Sequence, residues 1–390
     1  MTRGGAGAGA ARGPAAPGER LDRFVARANA AYYATHDPFA DFTTAPEIAQ
    51  AFGEILGLWA AVTWDLLGRP DPVLLVEAGP GRGTLLADAL RAIGQVAPGF
   101  AGALSLHLIE TSPRLRAAQA AALPAGTAAR ATWHDSLDSV PQAPLLLLAN
   151  EFLDALPIRQ FVRDGGGWGE RYVADGSFII RPAAPGEPAA LAAWAASDGS
   201  DPTGRPATGD RQARDESDAG GDRDEDDGRP GDNDQAAARI VEVCEAAHAF
   251  VGALAARLTR HPGAALLLDY GPAAPATGDT LQALRAGRPA DPLAAPGEAD
   301  LTAHVDFPGL AHRARAAGVA VHGPLAQGLL LTRLGLFQRT DRLARGQSPA
   351  RAAGLIAAAR RLAEPHRMGR LFKALALCHP DCPTPPGFEP

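Results

Sequence analysis

"LVEAGPGRGT", residues 75–84, sets three glycines within five positions directly behind a short apolar run. Apolar residues, an acid, a glycine-rich turn and then "LLADALRAI" (85–93) at helical spacing read as strand, loop and helix. Glycine takes positive φ without a Cβ clash and lets backbone come close to a ligand. The helix behind it opens with unpaired N–H groups. The loop is therefore a nucleotide-type site, and three ligands compete for it.

The surrounding pattern sets the fold. "VLLVEAG" (73–79), "LSLHLIE" (104–110), "ATWHDSL" (131–137), "PLLLLAN" (144–150) and "AALLLDYG" (264–271) are strand-like runs, mostly separated by helical stretches. Such alternation predicts an α/β fold with a parallel sheet and helices on both faces. "LDRFVARANAAYYA" (21–34) reads as a first helix. A second places Ile48, Phe52, Ile55, Trp59, Val62 and Leu66 on one apolar face. Thr44 and Glu47 stand at capping-box spacing before it. "IRQFV" (158–162), "GERYV" (169–173) and "SFII" (177–180) suggest an antiparallel excursion. "ARIVEVCEAAHAFVGALAARL" (238–258) reads as a helix, and "GVAVHGP" (318–324) and "GLLLTRLG" (328–335) as closing strands. "RMGRLFKALAL" (367–377) is the last ordered element.

Length and composition bound the rest. The 390 residues leave room for two domains or one large α/β domain with insertions, and 46% hydrophobic content supports a sizeable core. The expected organisation is a disordered tail (1–20), a helical region (21–70), a Rossmann-like core (71–180), an insert (181–237) and the remainder of the domain (238–390). Within the insert, "SDGSDPTGRPATGDRQARDESDAGGDRDEDDGRPGDND" (197–234) is dense in Asp, Gly and Arg and nearly free of apolar residues, so it cannot offset the entropy of ordering. A net charge of −7 argues against a nucleic-acid partner, which needs a basic face. Cys244, Cys378 and Cys382 are too few for a disulfide framework and lack metal-site spacing, so no metal is expected. The first 20 residues have no apolar h-region, and no run reaches the roughly 20 apolar residues of a bilayer span. They carry arginine and no acid before Glu19, mildly like a transit peptide, but their glycines and prolines make a poor amphipathic helix, which reads as a disordered tail on a cytoplasmic chain.

Among the three ligands, a Walker A phosphate loop needs Lys-Ser/Thr after its last glycine, whereas Thr84 and Leu85 follow Gly83. A dinucleotide fingerprint needs its third glycine, or an alanine, at position 84, where Thr84 stands. NAD stays open as the weaker fit. S-adenosylmethionine (SAM) carries an ammonium and a sulfonium instead of a phosphate, so carboxylates near the loop serve it. Glu77, Gly79, Gly81 and Gly83 meet the acid–x–G–x–G–x–G spacing. Glu110 closes the next strand, where a ribose diol would lie, and Asp135 with Ser136 follows the third, near an adenine amino group.

Nine blocks in order, "DFTTAPEIAQAFGE", "LVEAGPGRGTLLADALR", "HLIETSP", "WHDSL", "LLANEFLDALPIRQF", "LLLDYG", "GDTLQALR", "PGEADLTAHVDF" and "QGLLLTRLG", resemble the MidA-type SAM-dependent methyltransferases. The resemblance runs from about Leu21 to Phe388. It implies a class I SAM-dependent methyltransferase fold, a seven-stranded sheet with its last strand antiparallel, plus an extra helical region. The family includes mitochondrial factors that methylate arginine on a complex I subunit, so the resemblance implies a protein-arginine methyltransferase with SAM as cofactor and a protein partner.

Methyl transfer demands in-line alignment, and a guanidinium acceptor arrives charged, so carboxylates must grip and orient it. "NEFLDALP" begins where the central strand ends. Asn150 and Glu151 are the expected orienting pair, with Asp154 next. Glu151 and Asp154 could instead cap the following turn. Glu298, Asp300 and His304, with Asp306, suggest an acidic substrate mouth or a helix N-terminus capped by Asp300. Thr44 and Glu47 have two readings, the capping box and a loop closing over SAM. A SAM-binding assembly chaperone with little turnover and a small-molecule methyltransferase are the alternatives.

Overall fold

The computed structural model describes residues 18–36, 43–164, 167–187 and 239–390. The tail through residue 17, most of the acidic insert (188–238) and part of the loop before Thr43 lie outside the described residues.

Seven strands form the main sheet: β1 (Val73–Ala78), β2 (Leu104–Ile109), β3 (Ala131–His134), β4 (Leu145–Asn150), β5 (Gly263–Tyr270), β6 (Ala320–Ala326) and β7 (Phe372–Cys378). Their spatial order is β6-β7-β5-β4-β1-β2-β3. β1 to β5 run parallel, and β7 lies antiparallel between β5 and β6. The order reverses between β1 and β4, which puts a crevice beyond the carboxyl ends of those two strands.

Period-2 alternation sorts the apolar residues into two cores. Leu146 and Leu148 of β4, with Leu75, Leu266 and Leu268, face one core, while Leu145, Leu147, Val76 and Leu267 face the other. An uninterrupted apolar run is what a strand buried on both faces requires. The first core is covered by α2 (Gln50–Leu66) and α3 (Thr84–Val96), the second by α5 (Glu245–Leu258) and α6 (Phe307–Ala316). α2 packs closely on α3 because Gly57 has no side chain; a Cβ there would sit 2.7 Å from the Ala89 backbone.

A second, antiparallel sheet lies to the side. It is built from Arg159–Asp164, Gly167–Ala174, Ser177–Pro182, Arg239–Val243 and the pair Glu19–Arg20. A three-stranded sheet follows, of Gln282–Arg285, Arg288–Ala290 and Asp300–Thr302. Helix α1 (Leu21–Thr35) buries Leu21, Phe24, Val25 and Ala28 against Val173, Ala283 and Leu301 of these sheets. Asn29 fixes it further, exchanging hydrogen bonds with the Leu301 backbone at 2.8 and 3.1 Å.

Several expectations need correction. Glu19 and Arg20 pair with Val173 and Tyr172, so the tail ends earlier than expected; Arg181 and Pro182 still belong to a strand, so the insert begins later. "ARIVEV" contributes a strand, with its β-branched alternation, before α5 begins at Glu245. "GLLLTRLG" is helical: Leu330 and Leu331 enter the core while Leu329 is exposed, and a short apolar run does not reveal its own period. The last apolar run, β7, is internal to the sheet. The Ile48–Leu66 stretch breaks at Ala49 into a short helix (Ala45–Ile48) and α2, and Val62 stands 50% exposed off the apolar face.

Candidate functional site

The crevice beside β1 and β4 opens into a cavity of about 690 Å³. Gly79 and Gly81 line it, and Gly79, Gly81 and Gly83 all have positive φ (64°, 56° and 84°). A Cβ on Gly79 would lie 2.9 Å from the Phe152 ring. Gly83 does not line the cavity; it is the left-handed N-cap residue of α3 and lies against the Gln119 backbone, 3.1 Å from where its Cβ would stand. The expected three-glycine cradle is thus two glycines at the cavity and one that starts the helix.

Glu77 closes β1 at the cavity wall, 3% exposed. Burial pushes its carboxyl up to about 8, against one hydrogen bond from the Leu86 amide. Its Oε2 has no hydrogen-bond partner. A buried carboxylate oxygen left without a donor suits the ammonium of a methionine moiety.

Glu110 follows β2. Ser112 N–H donates to its Oε1 at 2.8 Å and Gln119 Nε2 to its Oε2 at 3.1 Å, while burial raises its pKa. The same Gln119 Nε2 donates to the Gly81 carbonyl at 2.9 Å, and Trp133 Nε1 donates to Gln119 Oε1 at 2.8 Å. With two acceptors on one side and a donor on the other, the amide has a single satisfied orientation. Gln119, on α4 (Pro113–Ala122), therefore ties the glycine loop to Glu110 at the end of the next strand. Its place in an alanine-rich helix gave no signal.

Asp135 and Ser136 line the far end of the cavity. Asp135 is open to solvent and pairs with Arg116 at 2.6 Å. Thr44 and Glu47 also line the cavity. The capping box does not form: the Thr44 side chain caps nothing, and Glu47 Oε1 accepts instead from Thr84 Oγ at 2.5 Å. This bond fastens the 44–48 turn across the glycine loop. From the other side α1 roofs the cavity with Ala26, Asn29, Ala30 and Tyr33.

At the end of β4 sit Asn150 and Glu151, both cavity-lining. Glu151 adopts φ 51°, a left-handed conformation that costs a non-glycine residue about 1–3 kcal/mol. Its Oε1 accepts from Ala45 N–H at 3.0 Å and from Asn150 Nδ2 at 2.9 Å, and burial pushes its carboxyl up to about 7. Asn150 Oδ1 is buried with no partner. The turn is held from beneath by Asp269 on β5, whose Oδ2 accepts from the amides of Phe152, Leu153 and Asp154 at 3.1, 2.8 and 3.3 Å. Asp269 is 1% exposed, and burial pushes it up to about 6. Sequence reasoning missed this role, although "LLLDYG" ends the neighbouring strand.

The remaining candidates stand elsewhere. Asp154 does not line the cavity; burial and the nearby Asp269 and Glu151 carboxyls raise its pKa well above the ordinary range. Asp300 is buried and accepts from the Tyr33 hydroxyl at 2.7 Å; it caps no helix, and Asp306 caps α6 through the Gly309 amide at 3.1 Å. His304 stacks edge-on against Tyr270 and lines a separate cavity of about 70 Å³. Glu298 is half-exposed beside Arg285 and His36. The expected acidic mouth does not assemble, because the 298–306 segment folds as a strand and a helix cap on the far side of the 150–157 turn.

The residues at the cavity fit SAM: a partnerless buried carboxylate oxygen, a glycine loop where a side chain would clash, and an acid on the adjacent strand. Comparison with known proteins agrees. A family model for S-adenosyl-L-methionine-dependent methyltransferases matches residues 55–325. The chain is 34% identical to a Drosophila melanogaster protein named as the mitochondrial protein arginine methyltransferase NDUFAF7 homolog, over 94% of this chain and 82% of the relative. It is 32% identical to human NDUFAF7, a mitochondrial protein arginine methyltransferase by name, over 94% of this chain and 80% of that one. A crystal structure of a candidate methyl transferase from Burkholderia thailandensis, bound to S-adenosyl-homocysteine, superposes with a TM-score of 0.72 at 26% identity, covering 94% of this chain and 89% of the other. The relatives' mitochondrial names overturn the cytoplasmic reading, which had set the arginine-bearing, acid-free start aside because its glycines and prolines make a poor amphipathic helix. Fold, cavity chemistry and relatives agree: the chain belongs to the S-adenosyl-L-methionine-dependent methyltransferase family.

Proposed function

We propose that this protein methylates arginine on another protein, a subunit of respiratory complex I or a protein like it. The observation that carries the acceptor side is the Glu151 carboxylate, held at the cavity wall by Ala45 N–H and Asn150 Nδ2 in a backbone conformation that strains it. The names of the relatives support arginine as the acceptor; complex I assembly as the setting comes from the resemblance to the MidA-type family.

In this reading Glu77, Gly79 and Gly81 hold the methionine end of SAM, Glu110 the ribose, and Asp135 with Ser136 the adenine. Gly83 starts α3, and Thr44 and Glu47 hold the turn that covers the site. When bound, SAM supplies an electrophilic methyl on a sulfonium. Glu151 and the free Asn150 Oδ1 accept N–H bonds from the guanidinium, offset the repulsion between two cations, and turn one nitrogen toward the methyl. The acceptor nitrogen sheds one proton as its new C–N bond forms and the methyl–sulfur bond breaks, the electron pair staying on sulfur to leave neutral S-adenosyl-homocysteine. Glu151, with a carboxyl pushed up to about 7, is suited to take that proton and release it to solvent. Alignment of this kind supplies up to about 7–11 kcal/mol of a displacement barrier.

The test is transfer from labelled SAM in a lysate, with mass spectrometry to locate the methyl. Label on arginine of a protein is expected; label on lysine, or only on metabolites, overturns the assignment.

A further inference from the structure

We propose that the helical strip of residues 327–371 is a docking surface for an acidic segment of the methyl-accepting protein, which rests on the protein-substrate reading above. The chain as a whole is acidic, with 44 carboxylates against 37 basic side chains; this strip reverses the balance, with nine arginines and two carboxylates, Asp341 and Glu364.

Three helices build it: Gln327–Arg333, Leu336–Ala344 and Pro349–Ala363. Their inner residues Leu330, Leu331, Leu336, Ala359 and Leu362 join the same core, so their outer sides share the solvent. Both carboxylates are already engaged, Asp341 by Arg345 and Glu364 by Arg360 and Arg367. Arg339 turns inward to the buried Glu54, at 2.6 Å. Arg342, Arg351, Arg361 and Arg370 are exposed and, among the described residues, none of the four makes an ion pair. Like charges this dense repel one another, and an anionic partner relieves that repulsion and gains on-rate from the field.

The strip adjoins the turn at the acceptor end of the cavity without lining the cavity itself. Helix 349–363 packs against the Ala45–Ile48 turn, whose Pro46 and Glu47 line the cavity and whose Ala45 amide holds Glu151. Arg361 lies close enough to Glu151 for its charge to favour the ionised carboxylate. A polypeptide presenting a side chain to Glu151 across that turn meets Arg361, and the other exposed arginines extend the same charge along the strip. Exposed Leu329, Phe337 and Ile356 among them offer apolar contact. A bilayer on the same face would cover the approach that the acceptor needs, so an acidic segment of the acceptor is the better occupant.

The experiment measures binding apart from turnover. A fluorescent arginine peptide flanked by aspartates, and its lysine-flanked counterpart, are titrated with the full chain by anisotropy at about 50 and about 500 mM salt. The aspartate peptide is expected to bind about tenfold or more tightly at low salt, with the difference collapsing at high salt. The triple variant Arg342→Gln, Arg351→Gln, Arg370→Gln loses that preference while its calorimetric affinity for S-adenosyl-homocysteine stays unchanged. Equal affinity for the two peptides, an unaltered preference in the variant, or flotation with phosphatidylserine vesicles without peptide preference overturns the proposal. Preferential binding of a peptide that never takes up label supports the surface and instead overturns the arginine assignment.

Discussion

Ala45 N–H donates to Glu151 Oε1 at 3.0 Å, joining the turn ahead of α2 to the end of the central strand 106 positions later. One hydrogen bond thus links the cover of the cavity to the carboxylate proposed to hold the acceptor. Glu151→Gln keeps the shape and an acceptor oxygen but removes the charge and the proton-accepting group. A fall in kcat of about 100-fold or more is expected, with S-adenosyl-homocysteine affinity nearly unchanged by calorimetry. A loss of affinity as large as the loss of rate would place Glu151 with the donor instead.

Glu77 sets the pH response of donor binding. With its carboxyl pushed up to about 8, the ligand-free protein holds a proton there at neutral pH. A cationic donor needs that proton gone, so affinity should rise with pH toward 8, and Glu77→Gln should flatten the profile. Stability runs the other way. Between about 4.5 and 8 the folded chain keeps the proton that the unfolded chain has lost, so stability without ligand falls as pH rises through this window. Calorimetry and thermal melts across that range check the two slopes together.

Gln119 is buried, and its amide joins Gly81 to Glu110. Gln119→Leu removes both donors and leaves Trp133 Nε1 unpaired, and about a tenfold weaker S-adenosyl-homocysteine affinity is expected. Gln119→Glu places a carboxylate against two acceptors, so its affinity should improve as pH falls and it gains a proton to donate. Arg116 and Glu110, the charged neighbours, are common to wild type and variant. A Gln119→Glu profile parallel to wild type would refute this role.

Gly83 makes a sharper stability case. At φ 84°, with Gln119 Cα 3.1 Å from the added atom, Gly83→Ala carries both backbone strain and a tight contact. A loss of about 1–3 kcal/mol is expected, read as a lower midpoint in denaturant. Gly94→Ala, in the same helix with nothing within 4 Å of the added Cβ, should stabilise slightly.

The amino-acid order alone determined the layered fold and several of the residues that line the main cavity. Strand and helix periods are local, and an acid–glycine loop is read within one short window, so Glu77, Gly79, Gly81, Glu110 and the Asn150–Glu151 pair were legible as residues at the strand ends that line the cavity. Tertiary structure decided the rest. Glu47 and Thr44 satisfy a local capping pattern, yet Glu47 bonds to Thr84 because the 44–48 turn folds across the glycine loop. Gln119, Asp269 and Tyr33 act on partners brought near only by sheet pairing and helix packing, and nothing in their own windows marks them. Asp300 and His304 carry the right chemistry, but the side sheet turns them away from the main cavity. Local sequence specifies which groups exist and in which element; only long-range packing selects which of them face one another.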